Sequence, residues 1–132
     1  MNDTEYSAHH HGQTVVLHFL RQAREAKKVL SIEASSITLE DGNGGTLTWA
    51  HQATGPTGRN GTVVVTFGAS GSPQPLAYDI RNLTFTGLEA DGQTPSIDPS
   101  RIRALVVSAT VEIPGNSTPL QTYSSRVWIR AW

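Results

Sequence analysis

The sequence predicts an α+β domain in which one N-terminal amphipathic helix packs on an antiparallel meander sheet. Two patterns predict it: a single helix-period stretch from Thr14 to Leu30, then strand-period alternation that continues to Trp132. Composition is the third observation. The 132 residues include only 16% charged side chains, a balance that suits one β-rich domain large enough to fold unaided.

The first residues, Met1 to Gly12, are polar and carry His9-His10-His11, so residues 1–13 read as a disordered arm or an added tag remnant and 14–132 as the folded domain. Adjacent histidines on a flexible arm do not hold fixed coordination geometry, and no metal site is expected there. In the helix, Val15, Phe19, Ala23, Ala26 and Leu30 recur at three- and four-residue steps and share one face. Val16, Leu20 and Val29 widen that stripe. Arg21, Arg24, Glu25, Lys27 and Lys28 take the remaining surface, with the cations late in the helix where its dipole favours them. The small pair Ala23 and Ala26 permits close approach to a sheet.

Strands follow in meander order. Ile37 and Leu39 share one side, the run Glu40 to Gly45 turns the chain, and Leu47 and Trp49 resume the pattern. Thr54 to Gly61 is a Gly/Pro loop, after which Val63, Val65 and Phe67 alternate with Thr62, Val64 and Thr66. A second loop, Gly68 to Pro75, leads into Leu76–Ile80 and Leu83–Thr86. Asp91 to Ser100, with Pro95 and Pro99, is a polar connector. The best-patterned strand sets Leu105, Val107, Ala109, Val111 and Ile113 against Val106, Ser108, Thr110 and Glu112, one face apolar and the other mostly hydrophilic. Past the turn at Pro114, the last strand points Val127 and Ile129 inward and Arg126, Trp128 and Arg130 outward. A helix of about 17 residues is about 25 Å long, enough to span four or five strands about 4.8 Å apart.

Charge and composition exclude several classes. A net charge of -1 supplies no field for nucleic acid or an anionic membrane. Without cysteine there is no disulfide framework, thiolate metal site or thiol nucleophile. No apolar run approaches the ~20 residues that cross a bilayer. Gly68-Ala-Ser-Gly-Ser72 lacks the G-x-S-x-G spacing of a nucleophile turn, and the glycines of 42–45 lack the Lys-Ser/Thr of a phosphate loop. A serine near His18 or His51 carries little weight where hydroxyl residues are abundant, and no enzyme is expected. Asp91 and Asp98 offer the one metal reading, calcium on oxygen ligands, against the simpler reading of solvated turn residues. The Arg126, Trp128 and Arg130 stripe, extended by Trp132, could stack on bases or sugars. Its simpler readings are a strand that uses arginines to stay soluble and avoid edge pairing, or a protein contact surface.

Leu17-His-Phe-Leu-Arg-Gln-Ala-Arg-Glu-Ala26 followed by Ser36-Ile-Thr-Leu39 resembles the end of the long first helix of type IV pilin-like proteins and its first strand. Pro75 to Phe85, the polar connector, Ile102 to Val111 and the closing Ser124-Ser-Arg-Val-Trp-Ile-Arg130 are similar to the C-terminal half of minor pilins and minor pseudopilins. The resemblance implies a pilin-like head domain, a non-enzymatic structural subunit of a type II secretion or type IV pilus filament with no cofactor. It implies other pilin or pseudopilin subunits as partners and a periplasmic or cell-surface location in the bacterial envelope. It also implies a longer precursor, anchored in the inner membrane by an apolar helical half that is cut away here. Glu5 lies among Asp3, Thr4 and Tyr6, so the family's functional glutamate, which sits in an apolar run, is not carried over to it. The loops Thr54–Gly61 and Asp91–Ser100, with Arg126, Trp128 and Arg130, are the expected partner contacts. The competing reading is a stand-alone β-rich module binding a ligand such as carbohydrate, with Trp128 and Trp132 as its platform.

Overall fold

A computed structural model describes residues 3–54, 60–68, 71–77, 80–112 and 120–129. One helix, α1 (Asp3–Glu25), is followed by β1 (Lys28–Glu33), β2 (Ser36–Glu40), β3 (Thr46–Thr54), β4 (Asn60–Phe67), β5 (Gln74–Ala77), β6 (Ile80–Leu88), a 3-10 turn η1 (Pro99–Arg101), β7 (Ala104–Glu112) and β8 (Leu120–Trp128). All strand pairing is antiparallel between sequence neighbours. The predicted α+β class and meander order hold. The strands, however, divide into two sheets, β1-β2-β3-β4-β5 and β6-β7-β8, rather than one.

Apolar area explains the division. Ile37, Leu39, Trp49, Val63 and Val65 of the first sheet are buried, and so are Leu83, Phe85, Leu105, Val107, Ala109 and Val111 of the second. A helix about 10 Å across covers only part of that combined surface. Two sheets joined along β6 cover the rest of one another. His51 Nε2 lies 2.6 Å from the Ile80 carbonyl, and the Phe85 amide donates to the Ala34 carbonyl at 2.9 Å, so polar bonds as well as packing tie β6 to the first sheet.

The helix differs from expectation at both ends. It begins at Asp3, so the stretch read as an arm is helical from there, the histidine run His9-His10-His11 included. Its 23 residues make a rod about 35 Å long. Once the packed turns supply the nucleus, each further upstream residue adds a hydrogen bond at little cost, and Thr4 to His11 contain no proline or glycine to stop propagation. Gly12 stays within the helix because its bare Cα admits Tyr123; a Cβ there would stand 2.7 Å from that ring. The rod ends at Glu25, earlier than the periodicity suggests. Ala26 closes the last turn onto Ala23, and the Lys27 amide donates to the Glu40 carbonyl at 2.8 Å, which starts the first strand pair. Val29 is buried as a β1 residue, whereas Leu30 falls at a bulge and is partly exposed. Val29 and Leu30 fit a helical stripe by spacing, but pairing with β2 takes them.

Of the rest of the predicted helix face, Val15, Val16, Phe19, Ala23 and Ala26 are buried and Leu20 is partly buried. Phe19 meets Trp49 of the first sheet edge-on at 5.3 Å between centroids and Phe85 of the second at 5.0 Å. The Trp49 Nε1–H donates to Gln22 Oε1 at 2.5 Å, which satisfies the one polar atom of a fully buried indole. Phe67, which alternates in step with the buried Val63 and Val65, ends its strand 60% exposed. Ile113 and the turn at Pro114 lie outside the described residues. Among the described residues no helix is long and apolar enough to cross a membrane.

Phe19→Ala removes the ring shared by both sheets and the helix. The expected loss is about 3–5 kcal/mol of unfolding free energy, the range for a large buried aromatic, read by chemical denaturation.

Candidate functional site

The connector between β6 and β7 is a folded loop, built turn by turn. Its first turn closes when the Gly92 amide donates to the Glu89 carbonyl at 2.9 Å and the Glu89 amide donates to the Thr94 carbonyl at 2.9 Å. The Asp91 carboxylate accepts from the Gln93 amide, the Thr94 amide and the Thr94 hydroxyl, an Asx-type cap that replaces three waters. Those donors, the Thr94 hydroxyl foremost, hold its pKa down to about 2 although the group is fully exposed. Pro95 then bridges back to Leu88, and the Ser96 amide donates to the Gly87 carbonyl at 2.9 Å. Gly87 is required there, since a Cβ would stand 2.7 Å from the Ser96 carbonyl oxygen.

Asp98 caps η1 by accepting from the Ser100 hydroxyl at 2.8 Å and the Ser100 amide at 3.0 Å. These bonds, the hydroxyl's first, lower its pKa, with Arg101 adding a smaller electrostatic contribution. Arg101 also reaches Glu89 at 3.2 Å and ties the two ends of the loop together. The two aspartates thus each serve the turn they belong to, and calcium is not required to explain either. Among the described residues no group of three or more His, Asp or Glu side chains is placed to hold a metal ion.

The outward stripe of β8 is the other half of this assembly. Arg126 donates to the Gly92 carbonyl at 3.1 Å. The Trp128 indole lies against Gly92, where a Cβ would stand 2.9 Å from the ring. Gly92 has φ +72°, a conformation that disfavours side chains in its own right. Arg126 and Trp128 therefore clamp the loop onto the sheet, and the indole is 44% exposed. Arg130 and Trp132, predicted to extend the stripe, lie outside the described residues, as do 55–59 of the Thr54–Gly61 loop. The structure brings the Asp91 turn, Arg126 and Trp128 into one site, and the sequence gives no sign that the stripe grips the connector. That contact joins residues 34 positions apart.

The clamped loop presents Ile97, which is 87% exposed, the most exposed of the large hydrophobic side chains described. Beside it, Ile32, Ala34, Phe85 and Pro95 line an open groove of about 390 Å³. On the other side of η1 a second groove, about 720 Å³, has Val29, Leu30, Ile102 and Ile129 with a rim of Lys27, Lys28 and Arg103. Neither lining includes a histidine. His51 is engaged in joining the sheets, and Ser100 donates its hydroxyl to Asp98. The arrangement is that of a rigid loop offering an apolar tip between two shallow grooves.

No protein-family model matches the chain, no curated protein matches it, and no solved structure matches it.

Two outcomes test the loop. Gly92→Ala forces a methyl group into an unfavourable φ and against Trp128, and is expected to lower stability by about 1–3 kcal/mol in denaturant unfolding. The Asp91 cap is a depressed-pKa case. Its contribution is present above the ordinary value of 3.8 and lost as pH falls through about 2. Hydrogen exchange at the Gln93 and Thr94 amides should accelerate relative to the core over that window, and Asp91→Ala should abolish the pH dependence.

Proposed function

We propose that this chain is the head domain of a minor pilin-like protein or minor pseudopilin, a non-enzymatic structural subunit of a type IV pilus or type II secretion filament. One observation carries the reading. Val15, Val16, Phe19 and Ala23 of α1 are buried in one core with residues of both sheets. A single helix with antiparallel strands packed on its buried face suits the head end of a longer stalk that packs into a filament. The resemblance of residues 14–132 to minor pilins and pseudopilins supports the same reading, as does the α+β meander that follows the helix.

In this reading the work is mechanical. A rigid head displays a preorganised loop to neighbouring subunits, and the exposed Ile97 supplies apolar contact area at little ordering cost. The partners are other pilin-like subunits in the bacterial envelope, and the full-length precursor is anchored in the inner membrane. Trp128, the platform of a carbohydrate reading, is already committed to Gly92.

An Ile97→Cys chain, expressed in the source cells and treated with a short bismaleimide, should form adducts with pilin-like subunits identifiable by mass spectrometry. Ile97→Asp should reduce co-purification with those subunits at least about tenfold, the effect of an anchor worth about 1.4 kcal/mol. A chain recovered from the envelope without any filament subunit, by either route, would sink the proposal.

A further inference from the structure

The groove of about 390 Å³ beside the clamped loop combines three features that suit one kind of side chain. The first is its apolar walls. Ile32 and Ala34 stand on one side, at the end of β1, and Pro95 and Ile97 of the loop stand on the other. Every lining residue, with its neighbours along the chain, lies within the described residues.

The second is an acceptor at the floor, on the outer edge of β6. The Phe85 amide donates to the Ala34 carbonyl, and the Gly87 carbonyl accepts from the Ser96 amide, both at 2.9 Å. In an antiparallel ladder the amide and carbonyl of one residue point to the same side. The Phe85 carbonyl therefore also faces away from β7, between those two bonds, and among the described residues it has no donor. The third feature is charge. Glu33 at the rim is exposed, and among the described residues its carboxylate has no ion pair or hydrogen bond. Asp98, next to Ile97, adds a second negative charge, and no cation lines the groove. The groove across η1 has the opposite character, with Lys27, Lys28 and Arg103 at its rim.

We propose that the Ile97 groove receives an arginine side chain from a basic segment of a partner protein. The methylene stem lies between Ile97 and Ile32, and the guanidinium donates to the Glu33 carboxylate and the Phe85 carbonyl. An arginine stem covers apolar surface while its head stays with charge, and its fork of five donors serves a carboxylate and a carbonyl at once. An acidic segment would set its carboxylates against Glu33 and Asp98. A purely apolar side chain would strip water from Glu33 and offer nothing in return. The inference rests on the reading of this loop as a contact surface and adds the chemistry of what it contacts.

The test titrates the intact, isotope-labelled chain with the peptide acetyl-Gly-Leu-Arg-Leu-Gly-amide, followed by NMR. A second peptide carries citrulline, which keeps the shape of arginine without its charge. Saturable shifts are expected at the Ala34, Thr86 and Ile97 amides, with a dissociation constant below about 1 mM. The citrulline peptide should bind at least about tenfold more weakly, because it lacks the charge-assisted bond. Glu33→Gln should lose the same factor for the arginine peptide, whereas Glu25→Gln, an exposed carboxylate on α1, should bind like wild type. Absence of saturable shifts at those amides overturns the proposal. So does equal affinity for the two peptides, or a folded Glu33→Gln chain that binds like wild type. Should Glu33→Gln fail to fold, the two peptides on the wild-type chain still decide. Failure here, with Ile97→Cys adducts to filament subunits still formed, removes the arginine site alone. Arginine-selective binding without such adducts supports the site and removes the filament reading alone.

Discussion

The contact on which the fold depends is the Phe19 ring, shared between Trp49 of the five-stranded sheet and Phe85 of the three-stranded sheet. Three layers meet there, and each lacks another way to bury its apolar side. The helix stripe is too narrow to cover both sheets, and the sheets touch one another along β6. A T-shaped approach to Trp49 places ring edge on ring face, the favourable quadrupole arrangement. The Trp49–Gln22 bond then fixes the rotation of the helix about its own axis, since a turn away would strand the indole N–H in the core.

From that point the constraint passes outward. Ala23 and Ala26 let the helix end close against the sheets, and the Lys27–Glu40 backbone bond converts helix into strand within two residues. On the far side of the second sheet, the same β7–β8 pair that supports Gly12 through Tyr123 also carries Arg126 and Trp128. One strand thus serves the helix with its inner face and the β6–β7 loop with its outer face. The loop is consequently rigid although almost wholly solvent-exposed, because each of its turns is closed by a carboxylate cap or a backbone bond to the sheet. Rigidity of this origin costs little to maintain and spares the ordering entropy that a partner would otherwise have to overcome.

The alternation of Leu105, Val107, Ala109 and Val111 was legible because a half-buried strand repeats every two residues, and all four are buried. Ile37, Leu39, Leu47, Trp49, Val127 and Ile129 were legible for the same reason. The helix boundaries were not. Val29 and Leu30 satisfy a helical stripe and a strand equally well over so short a window, and β2 arbitrates. Upstream, polar residues from Thr4 to His11 carry no periodic signal, since a helix propagating from a docked nucleus needs none. At the candidate site, Asp91 and Asp98 were legible as turn residues, and Arg126 and Trp128 as outward-facing. Their convergence on Gly92 was not, because sequence patterns record which face a side chain takes and not what crosses over it.

By itself the sequence determined the class of the elements, their order and which side of each is apolar, because those follow from local backbone geometry and the periods of helix and strand. Only the tertiary structure decided that the described strands form two sheets, that the helix ends at Glu25, and that the polar connector is a clamped loop. These outcomes depend on competition between distant surfaces for burial and on bonds such as Arg126 to Gly92, whose partners are far apart along the chain. No local pattern encodes that competition.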